Sequence, residues 1–166
     1  MPRKFGHDTN FIKENKIQDS MFLACNVAQE SQTNVWFLDL GYNNHITGNL
    51  EMFSSLDESV KFDVTLGNDN KIEVKGKGNV NILSKKGEKK HISDVYFFPN
   101  LKHNLLSIGQ LFQKGYRVSF KNKVCTILDK LSSSQLISKI QMKNNRMFPL
   151  NIKPNLNVKM LKHNLQ

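Results

Sequence analysis

The sequence predicts an all-β domain with one short helix, a small closed barrel, and three observations carry that expectation. From Val35 onward the chain breaks into short apolar stretches separated by Gly, Asn and Lys. Val60, Phe62, Val64 and Leu66 alternate with Lys61, Asp63 and Thr65, which is the period of a half-buried strand. Only one stretch has helical spacing: Leu105, Leu106, Ile108, Leu111 and Phe112 share a face, with Asn104 placed to cap the helix and Gly115 to end it.

Taken in order, the first strand is Val35-Trp36-Phe37-Leu38, ending at Asp39. After the alternating stretch, Gly67-Asn68-Asp69-Asn70 supplies residues that tolerate positive φ, and Ile72 and Val74 alternate with charges beyond it, so a hairpin is expected. Gly76 and Gly78 interrupt the next segment, which continues through Val80 and Ile82 to a turn at Lys85-Lys86-Gly87-Glu88. A strand from about His91 to Phe98 stops at Pro99. Beyond the helix, residues 116–120, 124–128 and 135–140 read as three more strands, with turns at 121–123 and 131–134.

A chain of 166 residues holds one core with tails. Residues 1–34 read as a polar leader, 35–152 as the domain, and 153–166 as a disordered basic tail carrying Lys159, Lys162 and His163 without an acid.

Lys and Arg number 24 against 14 Asp and Glu, a formal charge of +10. Only Arg3, Arg117 and Arg146 are arginines, so nucleic acid bound by this surface would be held nonspecifically and salt-sensitively. Residues 71–90 hold seven lysines against Glu73 and Glu88; outward positions of strands make this first a solvated face and second a nucleic-acid patch. No apolar run approaches the roughly 20 residues that cross a bilayer, so no membrane partner is expected. The start of the chain lacks the apolar stretch of a signal peptide, which predicts a cytoplasmic or nuclear protein that is not secreted. Cys25 and Cys125 are too few for a disulfide framework and too far apart for a metal pair, and both are expected as reduced thiols.

The most informative local feature is Asp39-Leu40-Gly41, an acid directly after an apolar strand and two positions before a glycine. Such a turn presents a carboxylate at a surface or interface. One carboxylate is a poor peptidase, but two related by a dimer axis share a proton, one taking a proton from water while the other protonates the substrate carbonyl. A chain with one such aspartate needs a homodimer for this chemistry.

Residues 35–152 resemble the protease segment of copia-type retrotransposon Gag-Pol polyproteins, especially those of plants. The resemblance rests on Val35-Trp36-Phe37-Leu38-Asp39, Asn44-His45-Ile46-Thr47-Gly48, Val64-Thr65-Leu66-Gly67-Asn68, Val74-Lys75-Gly76-Lys77-Gly78, Ile92-Ser93-Asp94-Val95-Tyr96-Phe97-Phe98-Pro99, Asn104-Leu105-Leu106-Ser107-Ile108-Gly109-Gln110-Leu111 and Met147-Phe148-Pro149-Leu150. It implies a barrel of the retroviral aspartic protease type, dimeric, acting on a polyprotein or peptide substrate, with Asp39 as the catalytic aspartate. It also implies that Gly67, Gly76 and Gly78 belong to the flap, and that the helix from Leu105 to Phe112 packs beneath the active-site loop.

The family's Asp-Ser-Gly or Asp-Thr-Gly, followed by a small residue, here reads Asp39-Leu40-Gly41-Tyr42. In the family the hydroxyl hydrogen-bonds across the dimer axis; leucine has no donor or acceptor to replace it. Tyr42 adds bulk beside the carboxylates. The expectation is an intact fold with peptidase activity weak or absent, and the alternative is a non-enzymatic β-barrel module binding nucleic acid or protein through its basic surface.

Lys4-Phe5-Gly6-His7 resembles the end of a Gag zinc knuckle, C-x2-C-x4-H-x4-C, but the fourth ligand position is Ile12, so a remnant without zinc is expected. His45 fits a structural position of the family motif. His91, His103 and His163 lack partners at ligand spacing, no nucleotide-binding fingerprint occurs, and no metal or cofactor is expected.

Overall fold

The computed structural model describes residues 34–65, 69–130 and 135–156. The leader up to residue 33 with its knuckle remnant, Gly67, the turn at 131–134 and the tail from residue 157 lie outside the described residues.

The fold is mostly β with one short helix, and its centre is β1 (Val35–Asp39). Trp36 is fully buried and Val35 and Leu38 nearly so, with Trp36 and Leu38 in the main core and Phe37, on the opposite face, against a smaller cluster. It pairs in parallel with β8 (Asn104–Ser107), from Trp36 opposite Asn104 to Asp39 opposite Ser107, and antiparallel with β12 (Pro149–Asn151). On the other side of β8 lies β2 (His45–Thr47), which runs parallel to β7 (Lys89–Phe97). β6 (Gly76–Leu83) pairs antiparallel with β7, and its far edge takes β3 (Phe53–Asp57) at one end and β13 (Lys153–Pro154) at the other. The path β12-β1-β8-β2-β7-β6-β13 therefore ends on two strands separated in the chain by Ile152 alone, and paired backbone runs on to Pro154.

Inside this curled sheet Trp36, Met52, Phe53, Val80, Val95 and Leu106 form the main core. A three-stranded meander of β9 (Arg117–Lys121), β10 (Val124–Leu128) and β11 (Leu136–Gln141) adds Cys125, Ile127 and Ile140 to it. The expected hairpin is present as β4 (Phe62–Thr65) and β5 (Lys71–Val74), a sheet of its own. Directly paired residues share a face, so Phe62, Val64, Ile72 and Val74 lie together. That face covers a second, smaller cluster of Ile46, Phe98, Leu101 and Leu105.

The helix departs from expectation. α1 spans Ile108–Gln113 only, and Asn104, Leu105 and Leu106 belong to β8. Parallel pairing with β1 buries all four residues of β8 and holds them extended. Asn104 is accordingly no cap: its Nδ2 donates to the Val35 carbonyl and its Oδ1 accepts from the Thr47 hydroxyl at 2.6 Å. Ser107 caps α1 instead, its Oγ accepting from the Gln110 N–H. Gly115 does end the helix, at φ +90, with Gly115 N–H bonded to the Phe112 carbonyl and Tyr116 N–H to that of Leu111, the pairing of a Schellman turn. No helix among the described residues is long and apolar enough to cross a membrane.

Candidate active-site loop

β1 delivers Asp39 to its C-terminal end, where the side chain is buried and its Oδ1 accepts from the Gly41 N–H at 2.7 Å. Asp39 is the one acidic side chain buried among the described residues. Leu40, the next residue, is 68% exposed, the reverse of what its chemistry favours.

Two residues of the β8–α1 junction stitch the loop after Asp39 to the body. The Ser107 N–H donates to His45 Nδ1 at 2.9 Å, and its hydroxyl donates to the Tyr42 carbonyl at 2.7 Å. Gln110 Oε1 accepts from the His45 N–H at 2.8 Å, while Nε2 donates to the carbonyls of Ser93 and Asp94. The loop thus begins against β8 at Asp39 and is tied again at Tyr42 and His45. Sequence reading missed Ser107 and Gln110, although Ser107-x-x-Gln110 has the spacing of a capping box. The glutamine of such a box turns back to the cap's own N–H; here that N–H belongs to His45, and the glutamine reaches the loop instead.

His45 is fully buried, and its Nδ1 acts as an acceptor, which puts the ring proton on Nε2. Burial, with the nearby Lys114 charge and against the opposite pull of Asp94, lowers its pKa to about 3. It is neutral at ordinary pH and positions the loop, as its structural reading expects. Tyr42 is half-buried against the smaller cluster beneath β4 and β5, and burial with the neighbouring Tyr96 raises its hydroxyl to about 12. Its bulk therefore joins the loop to the hairpin.

Gly76 and Gly78 lie within β6, paired with Phe97 and Val95. A Cβ on Gly78 would stand 1.9 Å from the Ser55 carbonyl oxygen, and one on Gly76 would stand 2.7 Å from Leu56 Cδ1. Close approach of the β3 backbone requires Gly78, whereas at Gly76 only the Leu56 side chain stands in the way. Of the residues expected in the flap, these two sit at the base of the hairpin and Gly67 is outside the described residues. His103 is buried with its ring edge-on to Phe37 at 5.4 Å, and Cys125 is buried, its thiol pushed up to about 11. Among the described residues no three His, Cys, Asp or Glu side chains are grouped to hold a metal ion.

Residues 36–116 match the family model of the Pol polyprotein beta-barrel domain. This supports a Pol polyprotein segment. The matched span contains the Asp39 loop, both residues that stitch it and all of α1, and it stops before β9. No curated protein and no solved structure matches the chain significantly.

Proposed function

We propose that this Pol segment is a retrotransposon-derived aspartic endopeptidase domain of the copia type found in plants, with the curled sheet as its closed barrel. Two copies supply one Asp39 each to a shared site. The observation that carries this reading is Asp39 itself, a buried carboxylate at a strand end with the Gly41 N–H on one oxygen. In the dyad one carboxylate takes a proton from water, whose oxygen bonds to the scissile carbonyl carbon, and the other protonates the carbonyl oxygen. Collapse of that adduct breaks the C–N bond as the carboxyl that took the water proton passes it to the leaving nitrogen and the other takes back a hydroxyl proton, so the amine and the new carboxyl end are released. The substrate class is a polyprotein or peptide in the cytoplasm or nucleus.

The exposed Leu40 lowers this activity. It offers no hydrogen bond to its counterpart, and two such losses across the dimer axis weaken the pairing on which the site depends. Tyr42 fills space between the loop and the hairpin.

The test is cleavage of a fluorogenic peptide library at mildly acidic pH, with light scattering on the same samples. The reading expects slow cleavage that rises with protein concentration and vanishes in Asp39→Asn, whose circular dichroism is unchanged. Cleavage that persists in Asp39→Asn overturns it.

A further inference from the structure

The turn joining β6 to β7 and the first residues of β7 carry Lys85, Lys86, Lys89 and Lys90, all exposed, against Glu88. Lys153 joins them through the fold: in β13 it lies opposite Leu83, and Lys89 of β7 lies opposite Leu83 from the other side. Paired residues share a face and adjacent strands stand about 4.8 Å apart, so Lys89 and Lys153 flank Leu83 on one face, about 10 Å apart across the sheet. His91 and Asn81 form the next row of that face.

None of these five lysines makes an ion pair among the described residues, whereas Lys75 pairs with Glu73 and both Lys77 and Lys114 pair with Asp94. The turn is also preorganised. The Ser84 hydroxyl accepts from the N–H groups of Lys86 and Glu88, the Gly87 N–H donates to the Ser84 carbonyl, and Gly87 takes φ +78. At the opposite end of β6 the charge is balanced: Asp57, Glu58, Asp63, Asp69 and Glu73 stand with Lys61, Lys71, Lys75 and Lys77. The uncompensated positive charge lies at the β6–β7 end.

We propose that the β6–β7–β13 end of the sheet binds the phosphate backbone of nucleic acid without reading its sequence. Unpaired cations held on a fixed turn gain affinity by releasing counterions from a polyanion. Lysines are point charges, and no arginine lies in this stretch to fork onto a base, so the contacts position the strand and do not specify it. Of the exposed large apolar side chains among the described residues, Leu156 alone lies near this end, three residues past Lys153, and one such side chain gives a bilayer little to hold, which favours nucleic acid over an anionic membrane. The proposal is independent of the peptidase reading and uses no cleavage readout.

The test is fluorescence anisotropy of the full chain with a labelled single strand of about 20 nucleotides, at about 50 and about 200 mM salt. Four to five phosphate contacts predict a loss of roughly 50- to 130-fold in affinity across that range. Replacing Lys85, Lys86, Lys89 and Lys153 together by Gln weakens binding by more than about 10-fold and flattens the salt slope. Replacing Arg117, Lys121, Lys123 and Lys139 by Gln removes the same charge from the β9–β11 sheet and weakens it by less than about 3-fold. Equal losses in the two variants, no binding at low salt, or tighter binding to phosphatidylserine vesicles than to the oligonucleotide overturns the proposal. Should the fourfold variant melt early, Lys85→Gln with Lys86→Gln alone gives about half the loss on a logarithmic scale, and no loss there overturns it equally.

Discussion

The loop after β1 and the turn after β6 each join two strands of one sheet, but one is stitched to the body and the other stands clear of it. The first holds a buried carboxylate, and Ser107 at the end of β8 and Gln110 in α1 fasten its later residues. The second is closed by its own Ser84 and carries lysines that pair with nothing among the described residues. Nonlocal hydrogen bonds fix the course of the loop that follows the carboxylate, which suits chemistry. Local ones fix only the turn's shape and leave its charge available, which suits adhesion.

The comparison breaks most severely in β6, the strand that leads into the turn and carries β3 on its far edge. Gly78→Ala forces a methyl group onto the Ser55 carbonyl, and because the clash is with backbone, β3 must move away. The expected cost is about 3 kcal/mol or more, read as a lower urea midpoint with unchanged slope. Ser107→Ala comes next. It leaves the Tyr42 carbonyl and the Gln110 N–H without their hydroxyl partner, for a cost of about 2–3 kcal/mol, and it frees the loop without touching Asp39.

His45 sharpens the comparison through pH. Its folded pKa of about 3 lies below the ordinary 6.5, so the unfolded chain takes the proton first. Between those values stability falls as pH falls, by up to about 1.4 kcal/mol per pH unit from this group, and above 6.5 the group contributes no slope. Urea titrations between about pH 7 and pH 4 should show this slope and lose it in His45→Gln. Peptidase assays belong at the upper end of the window, near pH 6, where the loop is still held. The smallest effect is at the turn: Lys85→Ala and Lys86→Ala should each shift stability by less than about 0.5 kcal/mol, since neither side chain has a partner to lose.

What could be read in advance was local. The hairpin of β4 and β5 follows from period-two alternation, the β6–β7 turn from Lys85-Lys86-Gly87-Glu88, and the position of Asp39 from an acid between an apolar strand and a glycine. What escaped was decided at long range. Leu105 and Leu106 fit a helical face as well as a buried strand, and only pairing with β1, nearly seventy positions earlier, selects the strand. β3 buries a single residue, Phe53, and β2 is three residues long, so neither shows a period. The bonds from Ser107 and Gln110 to the Asp39 loop span 62 to 65 positions and leave only the capping-box spacing as a trace.

Leu40 is where the peptidase reading is most exposed, because a single side chain is held to separate a working dimer from a weak one. The decisive measurement is cleavage of the peptide library by Leu40→Ser, beside the natural chain and the double variant Leu40→Ser with Asp39→Asn. The expected result is at least a tenfold gain in Leu40→Ser, accompanied by a dimer in light scattering and abolished in the double variant. A folded, dimeric Leu40→Ser protein that cleaves nothing, or a gain that survives Asp39→Asn, would contradict the assignment of this loop as half of an aspartic protease site.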